Sequence, residues 1–192
     1  MKSLRLTIYL LLAVIAKGTG QPQVKATHRY FNNFDDPSVN STWINSNTII
    51  FSNDSSENYF SRTDATHPYS AGIEVEIPQD LKRKNFRIAV ACDVKMQLST
   101  NNKLVISISK NDSSIFWEGF QIGNSRLKMI KQDRSGSGSW YSMNHSTLIP
   151  GNIPVDSKIK IFIWNADGKS ETDVDQMEIG FTETTITSFL PR

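Results

Sequence analysis

The sequence lacks most of the signals that usually announce a chemistry. It holds one cysteine, Cys92, so a chain exported to an oxidising compartment folds here without an internal disulfide and relies on its core and its sheet ladders. Its three histidines, His28, His67 and His145, stand at no metal-ligand spacing, and neither an HExxH nor a GxSxG motif occurs. Glu74, Glu76 and Glu118 form no recognisable acid/base pair, so the sequence points away from an enzyme. The formal charge of +2 predicts neither a nucleic-acid nor an anionic-membrane partner, and the one basic cluster, Lys82-Arg83-Lys84, solvates a turn. No helical periodicity, internal repeat or dividing linker is visible, and no apolar run is long enough to span a membrane.

What the chain does have begins at its N-terminus. Lys2 and Arg5 precede an apolar run over 8–16, followed by Gly18-Thr19-Gly20, the order of a cleaved secretory signal over 1–20. No cysteine ends that run, so it offers no lipid attachment point. The expectation is a secreted or periplasmic protein with a single domain over 21–192, large enough for one full core.

The strongest pattern lies at 86–98, where Phe86, Ile88, Val90, Cys92, Val94 and Met96 alternate with Arg87, Ala89, Ala91, Asp93 and Lys95. A period of two over such a length is an extended strand with one face in a core, and it makes Cys92 a small buried apolar residue. Further strands are expected over 29–34, 42–51, 72–77, 103–110, 115–122, 126–131, 139–143, 158–164 and 174–183, separated by turn formers such as Asn111-Asp112 and Asp167-Gly168. Many short strands without helical crossovers predict an all-β fold, a two-sheet antiparallel β-sandwich of jelly-roll type. The stretch 158–164 is unusual: Ile159, Ile161 and Ile163 share one face, but Phe162 and Trp164 stand with Lys160 on the other. That second face either packs under a loop or lines a binding surface.

The segment 159–181, IKIFIWNADGKSETDVDQMEIGF, resembles the closing hairpin of the carbohydrate-binding-module-like, galactose-binding-like jelly rolls. Phe34-Asp35-Asp36 followed by Trp43, Tyr69-Ser70-Ala71-Gly72, and Ser139-Trp140-Tyr141 followed by Leu148-Ile149-Pro150 are similar to other stretches of that group. The resemblance implies a structural calcium held by Asp35 and Asp175, with a carbonyl near Tyr69 or Ser70 as a third contributor. Asp35 stands where the group commonly has Glu, and Gln176 where it commonly has a second Asp. It also implies structural roles for Trp43 and Trp164.

A sugar ring has an apolar C–H face, so an exposed indole or phenol on a rigid sheet, beside polar groups for the hydroxyls, is a platform for a glycan. Trp117, Trp140, Tyr141 and Trp164 are of the right type, with Glu118, Gln121 and Asn165 near them in the chain. In the 115–122 strand, Phe116, Glu118, Phe120 and Ile122 form the more apolar face, which leaves Trp117, Gly119 and Gln121 outside. Trp117 with Gln121 is therefore the leading ligand site and Tyr141 the second. The reading that follows is a secreted, non-catalytic binding module for a glycan. The alternatives are a structural or adhesion component of a cell surface or matrix, and a small glycan-cleaving enzyme. Asn40, Asn53, Asn111 and Asn144 each begin an Asn-x-Ser/Thr sequon.

Overall fold

The computed structural model describes residues 27–52, 58–97, 100–124, 127–131 and 138–184; the expected signal over 1–20 and the Asn53 sequon lie outside the described residues. Its strands are β1 (His28–Asn32), β2 (Ile49–Phe51), β3 (Tyr59–Thr63), β4 (Ile73–Glu76), β5 (Phe86–Met96), β6 (Lys103–Lys110), β7 (Ser113–Gln121), β8 (Lys128–Lys131), β9 (Ser139–Ile149), β10 (Lys158–Trp164) and β11 (Thr172–Glu183). The larger sheet runs β2-β3-β11-β5-β9-β8, with β1 also paired to β11, and the smaller runs β4-β10-β6-β7. Every pairing is antiparallel. From β3 to β6 the chain changes sheet at each step, so the fold is the expected two-sheet jelly-roll sandwich. No helix among the described residues is long and apolar enough to cross a membrane.

The alternating pattern of β5 sets the core. Ile88, Val90, Val94 and Met96 are buried in one cluster with Ile159, Ile161 and Ile163 of β10 and Leu104, Ile106 and Ile108 of β6. Each such side chain contributes about 1.5–3 kcal/mol on leaving water. Cys92 lies within the same cluster, and burial pushes its thiol pKa well up, which makes it inert.

Two expected strands, 42–51 and 139–143, have different bounds in the structure, and one strand, β3, was not expected. Only Ile49–Phe51 of 42–51 is a strand. Before it come a single helical turn, α1 (Pro37–Asn40), and a 3-10 turn, Ser46–Thr48. Asp36 caps α1 by accepting from the Ser38 N–H at 2.8 Å, and Trp43 turns into the core edge-on to Phe34 at 5.8 Å. β3 carries no apolar alternation because its inward residues are Ser61 and Thr63. The Ser61 hydroxyl is satisfied internally by Thr48 at 2.7 Å and by the Ala71 N–H at 2.7 Å. β9 runs on to Ile149 because its polar residues after Met143 still pair with β5 across the sheet.

Candidate functional site

The outer face of the smaller sheet is aromatic. The β6–β7 hairpin turns on Asn111 and Asp112, both with positive φ (48° and 62°), the two-residue turn that Asn and Asp favour. That turn would fix the register of the whole hairpin, but the register slips by one residue beyond Ser109, where a bulge in β7 follows Ser114. A one-residue slip exchanges the faces of everything after it. Here it sets Trp117 opposite Ser107 and Gly119 opposite Val105, with Phe116 and Phe120 turned toward the core.

Trp117, 52% exposed, meets Trp164 of β10 edge to face at 6.5 Å between ring centres. Two residues back along β10, Phe162 meets Tyr69, 45% exposed, in the same manner at 5.4 Å. Tyr69, Phe162, Trp164 and Trp117 thus make a ribbon of rings across the smaller sheet. Val105, the cross-strand neighbour of both Phe162 and Gly119 on this face, is buried. The Lys103 ammonium lies 5.6 Å from the Trp164 ring centre and 6.0 Å from that of Trp117, within cation–π range of both. Farther along the face, Glu74 is bonded by Lys158 at 3.0 Å and Lys160 at 2.8 Å. The Lys160 bond first, then that of Lys158, holds its carboxyl below the usual range.

The residues expected to bind a glycan do not all come together. Trp117 and Gln121 share this face, with the Gln121 amide 3.3 Å from both the Thr100 carbonyl and the Asn101 side-chain oxygen. Tyr141 does not join them. It is 7% exposed in the core, on the inward face of β9 opposite Val94, so its ring offers no platform. Glu118 points inward and meets the His145 ring nitrogen at 3.1 Å, and Asn165 is buried. Trp164, expected to be structural, is instead half-buried within the ribbon. Its signal was present in the chain as the unusual Lys160, Phe162, Trp164 face; Tyr69, before β4, had none.

The outer face of the larger sheet is different. Cross-strand pairing sets Arg62, Asp173, Lys95 and Trp140 in one row over β3, β11, β5 and β9, with Asp175, Asp93 and Ser142 in the next. A bulge after Asp175, where Gln176 has φ 51°, keeps Asp173 and Asp175 on this side while Met177, Ile179 and Phe181 face the core. Phe60 and Trp140 reach toward each other across the row to an edge-to-face contact at 6.3 Å. Phe60, Trp140 and the charged residues of both rows line a cleft of about 400 Å3. Asp173 and Asp175 are 4% and 7% exposed. Burial pushes both carboxyls up, against the Arg62 bond for Asp173 and the Asn58 bond for Asp175. Asp93 is raised by the same cause, opposed by its bond to Ser142.

Asp35 and Asp175 are close enough for the charge of one to disfavour that of the other. Their oxygens are already met by N–H groups. Asn33 and the Tyr59 backbone donate to Asp35 at 2.8 and 3.3 Å, and Asn58 and the Gln176 backbone donate to Asp175 at 2.7 Å each. Among the described residues no group of three or more His, Cys, Asp or Glu is arranged to hold a metal. The Ser70 carbonyl accepts from Asn45, and Tyr69 lies beside Trp164 on the smaller sheet. A calcium takes six to eight oxygens, so an ion held by Asp35 and Asp175 would need further oxygens and would displace the N–H donors that these carboxylates now meet.

No family model matches the chain, and no curated protein matches it significantly. Solved structures similar to it include a family 27 carbohydrate-binding module of Caldicellulosiruptor saccharolyticus in complex with mannohexaose. That likeness has 14% identity over 81% of this chain and 98% of the other, with a TM-score of 0.40. A family 22 xylan-binding domain of Paenibacillus barcinonensis is 11% identical over 71% of this chain and 81% of that one, with a TM-score of 0.38. The cleaved adhesin domain of Lys-gingipain from Porphyromonas gingivalis is 9% identical over 79% of this chain and 97% of its own, with a TM-score of 0.35.

Proposed function

We propose that this chain is a secreted, non-catalytic binding module for a linear glycan, held along the ribbon of Tyr69, Phe162, Trp164 and Trp117. The observation that carries the reading is the ribbon itself: two ring pairs on one sheet face, joined through Phe162 and Trp164, which stand two residues apart on β10, and exposed at Tyr69 and Trp117. Within each pair one ring stands edge-on to the other, so the ribbon offers a polymer alternating ring faces and edges along the sheet rather than a pocket for one sugar. Ser107, opposite Trp117, and Lys103, between the two indoles, supply polar groups for hydroxyls. Glu74, its carboxyl held ionised by two lysines, is a poor general acid, in keeping with binding rather than cleavage.

The test is affinity electrophoresis of the mature chain through gels containing mannan, xylan, arabinan or soluble cellulose, with Trp117→Ala and Trp164→Ala beside the wild type. At least one polymer should retard the wild type and neither variant, with melting temperatures close to wild type. Retardation by none of these polymers, or retardation that survives both substitutions, removes the reading.

A further inference from the structure

We infer that the cleft on the outer face of the larger sheet is a second saccharide site, one that takes a single uncharged sugar or the end of a glycan. It lies on the opposite sheet from the ribbon and is argued from its own residues. A sheet face bearing this many charges would ordinarily stand in water. Here two carboxylates, Asp173 held by Arg62 and Asp175 by Asn58, are withdrawn from it into the wall of a cleft, at a desolvation cost.

The charges select the ligand. Arg62, Lys95 and Lys131 line the cleft against Asp93, Asp173 and Asp175, so it carries no net sign to attract an ion. The fork from Arg62 to Asp173, at 2.7 and 3.1 Å, places a guanidinium within the row, which disfavours a metal cation there. Paired carboxylates, ammonium and guanidinium groups around an aromatic wall suit a ligand that is apolar on one face and rich in hydroxyls at its rim, which describes a pyranose. In this arrangement Trp140 stacks on the ring, Asp93 accepts from a hydroxyl, and Arg62 with Asp173 braces the wall under Phe60. The cleft volume falls in the range that a small ligand fills.

The experiment is saturation-transfer NMR on the full chain with the methyl glycosides of mannose, glucose, galactose, xylose and arabinose as probes. At least one should receive saturation from the wild type and from Trp117→Ala. The signal should vanish in Trp140→Ala, and Asp93→Asn, which changes charge at constant shape, should bind about tenfold more weakly, as expected when a charge-assisted hydrogen bond is lost. Saturation of no glycoside overturns the inference. So does a signal that persists in Asp93→Asn and Trp140→Ala, or one that disappears in Trp117→Ala, which would assign it to the ribbon. Because the ribbon is read with polymers and the cleft with single sugars, the failure of one proposal is visible apart from the other.

Discussion

The indole of Trp117 lies over Gly119, and a Cβ built at Gly119 would stand inside the ring, against its Cη2 atom. The glycine is therefore what lets the indole lie down along the strand toward Trp164 instead of standing away from the sheet. Gly119→Ala should lift the ring off the ribbon. Because the displaced ring moves into water rather than into the core, the melting temperature should change by only a few degrees, about 1 kcal/mol or less. Polymer retardation in the affinity gel should fall sharply. An alanine variant that binds like wild type would show that the position of this ring does not matter.

The second prediction tests the core. Val90 is buried at the middle of β5, between β11 and β9. Val90→Asp places a charge inside the buried apolar cluster, at a cost of about 3–5 kcal/mol against a typical total stability of about 5–15 kcal/mol. The variant should lose cooperative melting by circular dichroism. A sharp transition near the wild-type temperature would contradict the packing described.

How far these features could be read from the chain differs between core and surface. β6 and β10 were legible to the residue, because their inward positions are unbroken apolar alternations. β3 was not, because its buried positions are Ser61 and Thr63, polar residues satisfied by Thr48 and the Ala71 backbone. The inward turn of Glu118 followed from the apolar phase of its neighbours, but its partner His145 lies on the other sheet, and no local pattern could supply it. Trp117 was placed outside correctly from its own strand. The ribbon it joins depends on the bulge after Ser114 and on Tyr69, which are tertiary facts. Tyr141 was misplaced because each alternation there mixes a ring with a serine, Ser139 and Tyr141 against Trp140 and Ser142, and the phase of β9 is set by its pairing with β5.

The third prediction concerns calcium. The Asp35 and Asp175 oxygens are engaged by N–H donors, so an ion there would have to displace hydrogen bonds already made. Excess chelator should leave the wild-type melting temperature unchanged, and added calcium should not raise it. A fall of several degrees in chelator, abolished by Asp175→Ala, would restore the metal site.

The last prediction uses the carboxylates of the cleft. Burial raises the Asp93 carboxyl above its unfolded value of about 3.9, with the Ser142 bond opposing but not cancelling the shift. In the window between those two values the folded state holds more protons than the unfolded one. The contribution of Asp93 to stability is therefore complete below about pH 4 and is lost as the pH rises through the folded value. Asp173 and Asp175, raised by the same cause, act with the same sign. Asp93→Asn has no charge to desolvate, and its amide oxygen still accepts from Ser142. It should melt above wild type at pH 7, and the two curves should converge toward pH 3. Carboxylates that are lowered in the fold, such as Asp64 and Glu74, are common to both proteins and cancel in the difference. An Asp93→Asn variant less stable than wild type at neutral pH would mean that the charge is held for the fold. A variant that is more stable yet binds glycosides more weakly would mean that this partly buried carboxylate is kept for the ligand.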